Sequence, residues 1–257
     1  PYHWSNFNKF NEDHQYLDNV YEKVLQSVVK FLNDFHGVSG SVRYWRIIIG
    51  PWLYYFVQIL YDRWKMISIA TLDYNINETI IFDLNPQDMI VNDMNEFRDT
   101  LYGADIWNHW IYGEIIKQQM SIDITYLKIS NETFSNKKNF LSLDVKDYAS
   151  KSLRYFINKV ASFSKTDYFF INFPKPDQWR LEISLKQIPT NWHSPSINHF
   201  ILDMHQRNNI NLKMKVDNKF ESFLLSMIPK QIPASYLEGY LPLLNLTRKI
   251  NWPKNPK

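Results

Sequence analysis

Tyr16, Val20, Val24, Val28, Phe31 and Phe35 recur at steps of three or four, drawing one apolar stripe along a helix over residues 11–35. A helix of that length needs a second apolar face to cover it, so the next segment is constrained as well. His36-Gly37 ends the stripe, with glycine free to take the left-handed turn. Ser39 or Ser41 then caps a second helix through Arg43, Tyr44, Trp45 and Arg46. Gly50-Pro51 should break or kink it, because Pro51 lacks a donor and crowds the preceding turn. A third segment runs to about Arg63-Trp64, and residues 11–65 read as a helical hairpin with a sharp bend. The longest apolar run, residues 47–60, is too short for a bilayer span of about 20 residues and fits a buried core helix.

Beyond the hairpin, residues 66–72 and 79–84 look like short strands, rich in Ile, Thr and Phe. Residues 87–101 and 105–119 read as helices, the second capped by Asp105, and residues 131–138 as a polar loop. Residues 146–163 form an amphipathic helix. The best strand spans 167–173 and is stopped by Pro174-Lys175-Pro176; its continuous apolar run fits a sheet interior. Helices over 177–187, 196–207 and 217–228 and a Pro/Asn-rich tail follow. Helices alternating with a few strands give an α/β class, heavy in helix.

Composition excludes several function classes. Aromatic residues make up 16% of the chain, far from the profile of a disordered one. A net charge of +3 without basic runs excludes nucleic acid as the expected partner. The absence of cysteine removes disulfides, thiolate metal sites and cysteine nucleophiles. Only 6 glycines occur, none in a phosphate-cradling pattern, so a self-contained nucleotide loop is not expected. No secretory leader is read at the start of the chain, which reads as a soluble protein or part of one.

The densest chemistry lies in His36, Ser41, Arg43, Trp45 and Arg46, continuing to Trp52, Asp62 and Arg63. Guanidinium forks suit phosphate or carboxylate, and tryptophan faces suit sugar rings. Equally, the arginines could pair with helix-face carboxylates such as Asp62. A second cluster places Asp105 and His109 four residues apart on one helix face, where a carboxylate could orient an imidazole as a general base. The plainer alternative is an N-cap followed by a half-exposed histidine. His199 and Asp203 share the same spacing, with His205 off that face; with no third ligand, no metal site is expected. The patterns Asn77-Glu-Thr79, Asn131-Glu-Thr133 and Asn245-Leu-Thr247 are read as chance glycosylation matches in an Asn-rich chain.

The stretch Phe31-Leu-Asn-Asp-Phe-His-Gly37, with Arg43-Tyr-Trp-Arg-Ile-Ile-Ile-Gly-Pro-Trp52 and Tyr61-Asp-Arg-Trp64, resembles a family of transferases from O-antigen and surface-polysaccharide gene clusters, with leptospiral proteins as the reference. Further anchors follow in the family's order: Tyr2-His-Trp4, Asp105-Ile-Trp-Asn-His109, Leu185-Lys-Gln-Ile-Pro189 with Trp192, Ile232-Pro233, Tyr236-Leu-Glu-Gly-Tyr240 and Trp252-Pro-Lys-Asn-Pro256. The resemblance implies a Rossmann-like half of a two-domain, GT-B-like sugar transferase. Residues 1–250 would be its N-terminal, acceptor-side domain, and residues 251–257 the start of a linker to a C-terminal domain that holds most of the donor.

On that resemblance the expected function is transfer of a sugar from a nucleotide-sugar to a glycan acceptor, in the cytoplasm or at the inner face of the membrane. The partners are those two substrates and the C-terminal domain, with no cofactor beyond the donor itself. His109, oriented by Asp105, would be the base, Arg43, Arg46 and Arg63 would face phosphates or an acidic sugar, and Trp45 or Trp52 would stack on a ring. A non-catalytic carbohydrate- or protein-binding module and a polyol-phosphate transferase are the competing readings.

Overall fold

The computed structural model describes residues 2–74, 76–119, 122–128, 174–186 and 199–249. The chain divides into two compact units, one of residues 1–133 with 199–243, the other of residues 134–198 with 244–257. The expected helix over 146–163 and strand over 167–173 lie outside the described residues.

The first unit is built on a helical hairpin. Helix α1 (Phe7–His36) opens on Asn6, whose side chain accepts from the Lys9 amide, and closes on Gly37 in the left-handed conformation at φ 63°. Helix α2 (Val42–Ile48) is capped by the Ser41 hydroxyl, which accepts from the Tyr44 amide. Gly50-Pro51 does interrupt the chain: α3 (Gly50–Asp73) starts there, with Pro51 in a first turn that needs no amide donor. Its first two-thirds are buried through Trp52, Leu53, Phe56, Val57, Leu60 and Trp64. The core is closed by Val24, Leu25, Val28 and Leu32 of α1 and by side chains from two later helices.

Residues 66–72 are helical, not a strand. They continue α3, with Ser68 donating to the Trp64 carbonyl and Thr71 to that of Ile67. Their β-branched content reflects a preference that context overrides, here by elongation of a helix already nucleated. Strand β1 (Glu78–Phe82) follows as expected. The expected helix over 87–101 is instead a 3-10 turn, the short α4 (Met94–Glu96) and a π turn. Continuous helix is prevented at Val91 and Asn92, whose carbonyls accept from the Ala234 and Ser235 amides. Asp93 then caps α4 while the Glu96 carboxylate reaches back to the amide of Asn92, one residue before the cap, a variant of the capping box.

Helix α5 (Asp105–Gln119) has the expected bounds, with Asp105 inside its first turn. Strand β2 (Asp123–Leu127) pairs parallel with β1, Glu78 opposite Asp123. The unit is completed by α7 (Met204–Asn208) and α8 (Lys219–Gln231), and α9 (Tyr240–Lys249) starts within it. Of the expected helix over 196–207, residues 196–198 lie outside the described residues and 199–203 are not helical; α7 starts at Met204, where Asp203 caps it by accepting from the Gln206 amide. In the second unit, α6 (Lys175–Ser184) begins with prolines and is followed by Lys186 at φ 59°. The described chain is thus helix-rich α/β, with one two-stranded parallel sheet. No described helix is long and apolar enough to cross a membrane.

One buried ion pair ties the end of the first unit together. Arg207, 0% exposed, donates through Nε and Nη2 to the Glu238 carboxylate at 2.6 and 2.7 Å. Its Nη1 donates to the carbonyls of Pro229 and Ile232 at 3.2 and 2.7 Å, at the end of α8 where helical acceptors lack intrahelical partners.

Candidate functional site

Residues 2–5 form an irregular strap over α3 and α1, and its side chains meet two buried carboxylates. Asp62 on α3 accepts from the Tyr2 hydroxyl at 2.6 Å and from His3 Nε2 at 2.8 Å through one oxygen, and from the Arg63 guanidinium through the other. Arg63 Nε donates to Asn108 Oδ1 on α5 at 2.9 Å, which ties the cluster to a second helix. The His3 side chain is 5% exposed, and its Nδ1 is buried with no hydrogen-bond partner. With Nε2–H donating to Asp62, a neutral ring carries its lone pair on Nδ1. A carboxylate therefore fixes the tautomer of an imidazole whose other nitrogen makes no hydrogen bond. Burial first, then the Asp62 carboxylate, pushes the Tyr2 phenol well above its ordinary range, so it stays a donor.

The other carboxylate is Asp13 on α1. It accepts from Trp4 Nε1 at 3.1 Å, from the Tyr61 hydroxyl at 2.9 Å and from the Lys9 ammonium. Burial alone would raise the Asp13 carboxyl, but the bonds from Lys9, Tyr61 and Trp4 outweigh it and hold the group below the usual carboxylate range. The Tyr61 ring stands between the two carboxylate centres, with its centroid 6.4 Å from that of His3 and 6.3 Å from that of Trp4. Beyond it opens a groove of about 490 Å³ between α1, α3 and the start of α8, lined by Tyr16, Tyr61, Trp64, Lys65, Lys219 and Phe220 among others.

The residues singled out from the sequence do not converge. Arg63 and Asp62 belong to the His3 cluster, but thirteen residues of helix, about 20 Å of rise, separate Arg63 from Gly50 at the α2–α3 junction. Arg46, at that far end, makes a bidentate pair with Glu22 of α1 at 2.5 and 2.7 Å and lies over the Tyr21 ring. Arg43 is exposed on α2, and Ser41 is the N-cap of that helix. Trp45 and Trp52 are each 0% exposed. Trp45 donates to Asn33 Oδ1 at 2.8 Å, stacks on His36 and packs at a tilt against Tyr240; Trp52 stacks on Phe56. Neither ring offers a face to solvent. His36 is buried beside Trp45, its Nε2 3.2 Å from the Tyr236 carbonyl, and burial lowers its basicity.

His109 faces β1. Gly113, one turn on, lets the helix come so close that a Cβ there would meet Ile81 Cγ2 at 2.9 Å. At that approach His109 Nε2 accepts the backbone N–H of Phe82 at 2.9 Å, and the ring packs on Phe82. The N–H it satisfies lies on the edge of β1 away from β2, a group that otherwise needs water or a partner. Burial lowers the His109 imidazole as well. Asp105 is exposed at the start of α5. Among the described residues no cluster of three or more His, Asp or Glu is arranged to hold a metal.

The sequence matches the family described as LIC12162 family transferase over residues 1–257. The chain belongs to that family. No curated protein and no solved structure matches it. For a LIC12162 family transferase, the His3–Asp62 pair is the arrangement in the described residues with the most chemical capacity: an oriented imidazole, a flanking guanidinium and a phenol donor. No spacing in the sequence marks His3 as part of a site, because its partner is 59 residues away. The signal available was that Tyr2-His-Trp4 and Tyr61-Asp-Arg-Trp64 both carry the family resemblance, and the structure stacks one on the other.

Proposed function

We propose that this transferase moves a glycosyl group from a nucleotide-sugar to a hydroxyl of a glycan acceptor, in the assembly of a surface polysaccharide of the O-antigen type. The observation that carries the proposal is the buried His3 ring, held by Asp62 through Nε2 and unpartnered at Nδ1. Transfer to an alcohol needs a base for the hydroxyl proton and positive charge for the leaving phosphate. His3 Nδ1 takes the proton as the new C–O bond forms at the anomeric carbon and the bond to the leaving phosphate breaks. Asp62 stabilises the resulting imidazolium, and Arg63, held on the other oxygen of Asp62, is the cation of the cluster. The ring is closed off, so the acceptor reaches Nδ1 by displacing side chains packed on the ring while His3 stays on Asp62. His3 is the base in this scheme, and His109, whose Nε2 is committed to the Phe82 amide, shapes the edge of β1. Arg43, exposed on α2, is left for the donor side, and most of the donor site belongs to a GT-B-like partner domain outside residues 1–257, in keeping with the scarcity of glycine.

The test is release of nucleoside diphosphate from a panel of nucleotide-sugars by the natural full-length protein, with and without surface-glycan acceptors. His3→Gln keeps a donor to Asp62 and removes the Nδ1 lone pair; the expected loss in kcat is about 100-fold or more at similar KM. Undiminished turnover in His3→Gln, or no acceptor-dependent turnover of any nucleotide-sugar, overturns the proposal.

A further inference from the structure

The groove beyond Tyr61 has a charge that its own residues do not cancel. Of the carboxylates there, Asp13 is neutralised by Lys9 and also takes Tyr61 and Trp4. Glu221, behind the lining, keeps its charge and accepts from the Tyr16 hydroxyl, Asn218 Nδ2 and the Asp217 amide, so it offsets one lysine of the two on the rim. Asp217, just outside, pairs with Lys23 at 2.8 Å. The two lysines on the rim are not spent. Lys65 lies with its ammonium 5.4 Å from the Tyr61 ring centroid, and Lys219 projects from the first turn of α8. Among the described residues neither has a carboxylate partner. Between them lies a floor of Tyr16, Trp64 and Phe220, large rings that offer apolar edges rather than hydrogen-bond competition. A volume of about 490 Å³ suits one or two sugar rings.

We infer that this groove binds an anionic sugar unit, a pyranose carrying a carboxylate or a phosphate, with Lys65 and Lys219 pairing its charge and the aromatic floor taking its apolar face. It rests on the transferase reading only in assigning that unit to the acceptor, since the groove shares the Tyr61 ring with the His3 centre; binding itself requires no transfer. The ammonium groups are strongly hydrated point charges, so the contribution is one of selection and falls with salt.

The experiment is a ¹⁵N–¹H titration of the chain, following the Trp64 indole and the Lys65 and Lys219 amides, with glucuronate, glucose 1-phosphate, glucose and inorganic phosphate as probes. Expected is a shift of the Trp64 indole by an anionic sugar at half-saturation about tenfold below that of glucose, a difference of about 1.4 kcal/mol. The stronger of the two anionic sugars names the charged group. Lys65→Glu/Lys219→Glu, and the milder Lys65→Gln/Lys219→Gln, should abolish the preference with an unchanged melting temperature, both side chains lying at the rim. Equal saturation by glucose, equal saturation by inorganic phosphate, or a preference that survives both double variants overturns the inference. His3→Gln should titrate like the parent chain, so loss of transfer in that variant with intact binding tests the catalytic proposal separately.

Discussion

Arg207→Met is the substitution whose cost is best defined by the structure. The guanidinium is fully buried and makes four hydrogen bonds, two to Glu238, whose side chain is 9% exposed, and two to carbonyls at the end of α8. Methionine fills most of the volume but leaves a buried carboxylate with only the long bond from the Asp203 amide, at 3.3 Å, and two carbonyls without the guanidinium donor. Breaking a buried pair from one side costs about 3–5 kcal/mol, most of it the stranded charge. For a chain of this size about 4 kcal/mol lowers the melting temperature by about 8–16 °C. Urea and thermal unfolding of three variants decide the cause. Arg207→Met should lose the full amount, Arg207→Lys nearly as much because an ammonium cannot span a bidentate fork, and Arg207→Met/Glu238→Met should recover at least about half. A loss under about 1 kcal/mol in Arg207→Met would refute the claim that this pair is closed to water. Equal losses in the single and double variants would refute the stranded carboxylate as the main cost.

Two further outcomes are expected. Burial lowers both His36 and His109, so the unfolded chain binds more protons than the folded one just below the ordinary histidine value of 6.5. Stability should therefore rise with pH through that region and fall on acidification from pH 7.5 to 5. His109→Gln should show a shallower pH slope in its urea midpoint than the parent chain; an unchanged slope would remove His109 from the account. His109→Ala also strands the Phe82 N–H on the edge of β1 and should cost about 1–2 kcal/mol, with His109→Gln retaining part of it through its amide oxygen. If alanine and glutamine lose equally, the bond to Phe82 contributes nothing to stability.

Local chemistry made much of the scaffold legible in the sequence. The stripe from Tyr16 to Phe35, Gly37 at φ 63°, the Ser41 cap and the Gly50-Pro51 interruption are each decided by residues within one turn of each other. Residues 66–72 and 87–101 were not legible, because each is decided from a distance: one by the helix that precedes it, the other by Ala234 and Ser235 taking its carbonyls. The site divides in the same way. Asp62 and Arg63 stood out as residue types and do join a buried cluster. Arg46 is spent on Glu22, 24 residues earlier, and Trp45 on Asn33 and Tyr240.

A tryptophan suited to stack on a sugar and one suited to fill a core are the same residue in a sequence; exposure alone separates them, and exposure belongs to the folded chain. His3 shows the converse. Alone at the start of the chain it carries no spacing signal, since neither Asp13 nor Asp62 lies within a helical turn of it. What gives it chemical meaning is that Trp4 anchors the strap to Asp13 while Tyr2 and His3 anchor it to Asp62, with Tyr61 between the two carboxylates. Three donors on three consecutive residues would not all find buried acceptors by sequence proximity; they do so because α1 and α3 present Asp13, Tyr61 and Asp62 side by side. Removing the Asp62 carboxylate should therefore release Tyr2 and His3 together while leaving Trp4 on Asp13, a cooperative loss that a set of independent surface contacts would not show.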